Sequence, residues 1–142
     1  ADPMSFNISN FDKLLQAAAE QAEPQRLLFV FTKAELPEDA TEEEIEGFKK
    51  GDGGALVPVV CVDKALDELS DFAALVEESK KTGQEWDVVF AACQAGRGGM
   101  MPSSEEAQQP MAMMVESIQQ GGVARFLAFD RDGKTLHIDT PR

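Results

Sequence analysis

Four apolar runs in this chain each end on a cation. Lys33 follows the run Leu27 to Phe31, Lys64 follows Ala55 to Val62, Arg97 follows Val88 to Cys93, and Arg131 follows Phe126 to Phe129. If these runs are strands and at least three lie parallel, Lys33, Lys64 and Arg97 converge beyond their carboxyl ends. That is where open α/β sheets form ligand crevices. Asp63, Gln94, Ser103 and Ser104 would join them there, with the N–H groups of the glycine-rich loop between Gln94 and Pro102. Such a corner attracts a carboxylate or phosphate. The plainer alternative pairs each cation with a nearby acid such as Glu35, Asp63 or Asp130. With 26 acids against 13 bases, partners are plentiful.

Other chemistry finds less support. The chain holds one histidine, so Ser-His-Asp or Cys-His catalysis would need His137, which sits on a terminal hairpin and is expected to face outward. Cys61 and Cys93 are isolated and show no zinc spacing. Both lie inside apolar runs and are expected as buried free thiols, which suits a reducing cytoplasm. Gly96-Arg97-Gly98-Gly99 follows a strand pattern and precedes a helix, but it lacks the Gly-x-Gly-x-x-Gly spacing of a dinucleotide site. There is no Walker lysine-serine loop and no nucleophile elbow. The sequence therefore assigns no catalytic residue, no metal ligand and no cofactor. A net charge of −13 argues against nucleic acid and anionic membranes as partners, since both are polyanions. No apolar run approaches the roughly 20 residues of a membrane span, and no secretory signal is visible. The expected location is the cytoplasm.

The elements that must position these residues can be read from periodicity. Ala1-Asp2-Pro3 precedes Met4 and reads as a cloning remnant, so one domain is expected over residues 4–139. Ser9 with Asp12 predicts the start of a helix carrying Phe11, Leu14, Leu15 and Ala18 inward, and Pro24 ends it. Arg26 to Lys33 is short, apolar, β-branched and aromatic, hence a strand. Thr41 and Glu44 form a capping box for a short helix. Ala55 to Val62 is a second strand, which Pro58 confines to an edge or bulges. A helix over about Leu66 to Lys81, capped by Asp67 or Ser70, leads to a third strand over Asp87 to Cys93. These three form the expected central βαβ unit. Ser103 and Glu106 predict one capped turn, then a helix opening at Pro110 with Met111, Met114, Val115 and Ile118 inside. Phe126 to Phe129 and Thr135 to Ile138 close the chain as a hairpin about a two-residue turn, Asp132-Gly133. The predicted fold is a single α/β domain with a mixed five-stranded sheet.

Three stretches carry a resemblance: Pro24 to Phe31, Gly53 to Lys64 and Phe126 to Arg131. Together they resemble a family of small bacterial proteins labelled "ribonucleotide reductase subunit alpha", over nearly the whole chain from Met4. Radical reduction of that kind uses a thiyl-radical cysteine and a redox cysteine pair. With two isolated cysteines, the resemblance transfers no residue role. The order of elements is also loosely similar to the N-terminal domain of the enhanced serine sensitivity protein SseB. Val62-Asp63-Lys64 stands where that pattern has Phe-Thr-Ser, and Gln94-Ala95-Gly96 where it has Asn-Pro-Gly, so the likeness is one of architecture.

The function expected from the sequence is a non-catalytic binding domain that meets a protein partner or a second copy. The contact surface would be the hairpin edge, the Pro58 strand or the methionine-rich helix. The alternative is a small enzyme or sensor that holds an anionic metabolite at the basic corner.

Overall fold

The computed structural model describes residues 10–36, 38–49 and 55–136. Its elements are α1 (Phe11–Ala19), β1 (Gln25–Glu35), α2 (Glu42–Lys49), β2 (Ala55–Ala65), α3 (Phe72–Lys80), β3 (Val88–Ala95), α4 (Ser104–Gln119), β4 (Leu127–Phe129) and β5 (Thr135–Leu136). The five strands form one sheet in the order β2-β1-β3-β4-β5.

β1 is the strand on which the sheet is built. Six successive residues, Leu27 to Thr32, are buried, so both of its faces are covered. Leu27, Phe29 and Phe31 point to one side, where they meet Phe11, Leu14 and Ala18 of α1, Leu75 of α3, and Trp86. Leu28 and Val30 point to the other, against Ala107, Met114 and Ile118 of α4. The result is three layers, with α1 and α3 on one face of the sheet and α4 on the other. Phe11 ties the first layer together, its ring centroid 5.0–5.8 Å from those of Phe29, Phe72 and Phe129.

The α/β domain and the five strands are as expected, but the pairing differs. β2 and β3 run in the same direction with α3 between them in sequence, yet they are not neighbours. β1 lies between them and is antiparallel to both. Every pairing in the sheet is antiparallel, so the expected mixed sheet with a side-by-side βαβ unit is replaced by a strand inserted into it. The physical reason is burial. β1 is an uninterrupted apolar run that gains most from a central place, whereas Pro58 lacks the N–H that a central strand must donate. β2 is accordingly at the edge, and it is also bulged: Phe31 pairs with Val60 but Thr32 with Pro58. The extra residue turns Val59 and Val60 to the same core face.

Helix starts differ in detail. Asn10 caps α1, its side chain accepting from the Lys13 N–H at 3.0 Å. Leu66 to Glu68 form a separate 3₁₀ turn, and α3 begins later, capped by Asp71. The Thr41–Glu44 and Ser103–Glu106 capping boxes both form. α4 runs unbroken through Pro110 instead of restarting there. The hairpin turn has three residues rather than two: Asp130 N–H donates to the Lys134 carbonyl at 2.9 Å, and Gly133 takes φ +81°. A left-handed glycine at the third loop position is the usual form of such a turn. His137 and Ile138 lie outside the described residues. Cys61 is exposed rather than buried, because it sits on the outermost strand, and Cys93 is half-buried.

Candidate functional site

Because β1 is antiparallel to both neighbours, its first residues meet the last residues of β2 and β3. Arg26 stands opposite Ala65 on one side and Gln94 on the other. Alternation along the strands then puts Arg26, Asp63 and Gln94 on the α4 face, and Lys64 on the opposite face.

Arg26 is the centre of this corner. Its Nε donates to Asp63 Oδ2 at 2.7 Å, and Nη2 approaches the same oxygen at 2.6 Å. Nη1 donates to the Pro102 carbonyl at 3.2 Å, and Glu68 lies 4.0 Å away. Ser104, the first residue of α4, donates its hydroxyl to Asp63 Oδ2 at 2.5 Å. Burial pushes the Asp63 carboxyl up, but the Ser104 and Arg26 hydrogen bonds and the Arg26 charge outweigh it, so the group titrates below the ordinary carboxylate range. The arrangement is a clamp: one guanidinium and one carboxylate join β1, β2, the 96–102 loop and the start of α4.

The glycine-rich loop turns on Gly98 (φ +58°) and Gly99 (φ +81°), with Arg97 and Met100 exchanging backbone hydrogen bonds at 3.2 and 3.0 Å. This is a type I′ turn, which needs positive φ at both central residues. Gly96 packs so closely on the Met100 carbonyl that any Cβ would collide with it. The loop's own anion is internal, since the Gly99 N–H donates to a Glu23 carboxylate oxygen at 2.7 Å.

Of the residues singled out in the sequence, Asp63, Gln94, Ser103 and Ser104 meet at this corner, with Arg97 in the adjoining loop. Lys64 points across the sheet to Glu78 at 2.7 Å. Lys33 lies at the other end of β1, opposite Val57 and 3.7 Å from Glu85, so it does not converge with Lys64 and Arg97. Arg131 stacks on Trp86 at 4.8 Å and donates to its carbonyl. Lys64, Lys33 and Arg131 are thus each engaged by the chain itself. Sequence reasoning missed Arg26, Glu68 and Glu23. Arg26 opens its strand rather than closing it, and only an antiparallel pairing brings an opening residue to the carboxyl ends of its neighbours. A groove of about 440 Å³ beside the corner, walled by Ala18, Pro24, Leu66 and Met101, carries Glu23 and Asp67, which disfavours an anionic occupant.

Gln94 has a structural task. Pro110 has no N–H to give the Glu106 carbonyl one turn back, and the Gln94 side-chain amide donates to that carbonyl at 3.2 Å. Gln94→Ala is expected to cost about 1 kcal/mol. In a Pro110→Ala background the helix satisfies Glu106 itself, so the loss should shrink to a few tenths. Equal losses in the two backgrounds, measured by urea denaturation, would refute the compensation.

The second candidate surface is the outer edge of β2. Among the described residues this strand pairs with β1 alone. It is 11 residues long, about 36 Å at 3.3 Å per residue. Residues Ala55 to Val62 carry no charge. Natural edges are commonly blunted by charges or shortened. Here the bulge at Pro58 is one protection, and at the far end the Ala65 N–H is taken by Glu68 at 2.8 Å. No helix among the described residues is long and apolar enough to cross a membrane. A scan against protein-family models and searches of curated proteins and of solved structures find no match to this chain.

Proposed function

We propose that this protein is a binding domain that works by holding another polypeptide, not by transforming a substrate. The single observation that carries the reading is the outer edge of β2, which no strand among the described residues pairs and which is long and uncharged over its first eight residues. In an antiparallel sheet half of an edge strand's N–H and C=O groups point outward, and an added strand satisfies them. The polar corner lends itself less to ligand capture, because its Arg26 is turned to Asp63, while Lys64 and Lys33 lie away from it against Glu78 and Glu85.

The test is to block the edge without touching the core. Cys61 is exposed, so Cys61→Lys adds a charge of the kind that protects natural edges. The variant should keep the wild-type melting temperature within about 2 °C, since exposed substitutions usually change stability by less than about 0.5 kcal/mol. Proteins of the source lysate retained by the immobilised wild-type chain should be lost with this variant. An identical set of retained proteins would overturn the reading.

A further inference from the structure

We infer that the β2 edge takes an extended, uncharged segment flanked on both sides by Lys or Arg. The inference rests on the reading above and names the partner's chemistry.

Two observations choose this occupant over a second copy of the chain. The first is area. An edge about 36 Å long and about 10 Å deep offers roughly 360 Å² per partner, or some 700 Å² in total. Stable interfaces begin near 1,200 Å², so this edge suits reversible capture of a peptide better than a permanent dimer. The second is charge. Residues 38–71, which hold β2 and the segments that lead into and out of it, carry eleven acids against three bases, eight of the chain's thirteen net negative charges. α2, which ends five residues short of the strand, carries exposed Glu42, Glu43, Glu44 and Glu46, and exposed Asp67, Glu68 and Asp71 follow the strand's end. The strand between is neutral. A partner that matches this pattern is neutral in the middle and basic at both ends. A second copy brings the same negative flanks and is repelled.

The test uses the full chain and three synthetic peptides. One has a short Thr/Val core between Lys-Lys pairs, one has the same core between Glu-Glu pairs, and one is the Lys-flanked peptide with alternate core residues replaced by proline. Binding is read by fluorescence polarisation and by amide hydrogen exchange of residues 55–64. The Lys-flanked peptide should bind saturably, at least about tenfold tighter than the Glu-flanked one, and slow exchange in β2. Its affinity should fall as salt shortens the Debye length. The proline peptide, which cannot complete a ladder, should not bind. Equal binding of the Lys- and Glu-flanked peptides would overturn the basic partner while leaving the edge as a docking site. Failure of both to protect β2 amides that exchange freely in the chain alone would overturn the edge reading as well. Concentration-dependent protection of β2 in the chain alone, with a doubled mass, would overturn the inference in favour of self-pairing.

Discussion

Arg26→Ala should destabilise the protein by about 3 kcal/mol, the usual loss when one partner of a largely buried ion pair is removed. The Arg26 side chain is only 11% exposed and Asp63 24%, so solvent does not take over the missing contacts. The substitution strands a carboxylate and frees the Pro102 carbonyl in one step. Arg26→Lys should recover less than half of the loss, since a single ammonium cannot supply the Nε and Nη donors in their fixed fork. The same clamp fixes the acid limb of the stability curve. Asp63 titrates below its ordinary value in the folded chain, so its contribution is complete above the unfolded pKa and is lost as pH falls through about 4 and below. Arg26→Ala should flatten that limb. A double-mutant cycle with Asp63→Asn that gives no coupling, or an acid limb unchanged in Arg26→Ala, would show that the pair is incidental.

The second large effect belongs to Trp86. Its side chain is buried and its indole N–H donates to Ser79 Oγ at 3.0 Å, while Ser79 in turn donates to the Val76 carbonyl at 2.6 Å. The ring lies edge-on to Phe31 at 5.0 Å and beneath the Arg131 guanidinium. Trp86→Ala opens a large cavity between α3 and the sheet and should cost about 4 kcal/mol, which for a chain of this size lowers Tm by about 12 °C. Trp86→Phe should restore roughly half, as it keeps the aromatic packing and loses only the indole hydrogen bond and the larger ring. A loss under about 1 kcal/mol in Trp86→Ala would mean that α3 docks without it. Arg131 is relevant here because it is one of the four strand-end cations. Its place over the ring shows why spacing alone misleads: an aromatic face competes with any anion for a guanidinium.

Much of the local structure was legible along the chain. Leu27 to Phe31 announced a strand, the Thr41–Glu44 and Ser103–Glu106 boxes announced helix starts, and Pro58 announced an edge or a bulge and produced both. These features depend on residues a few positions apart, so sequence order alone specifies them. Burial of Cys61 was misjudged for a related reason: an apolar run implies a strand, but only the sheet's order says which strand has an open flank.

The neighbours of each strand were decided by the tertiary structure. Nothing between Ala55 and Cys93 records that Arg26 to Thr32 will slip between β2 and β3, because that insertion is a competition among all five strands for the most deeply buried place. The insertion moves Lys33 to the far end of the sheet and brings Arg26 to Asp63 and Ser104. It also leaves β2, among the described residues, with a strand neighbour on one side alone. The amino-acid order thus determined the elements and their faces, through local sterics and apolar periodicity. The composition of the polar corner and the identity of the open edge were decided only when long-range burial chose the order of the strands.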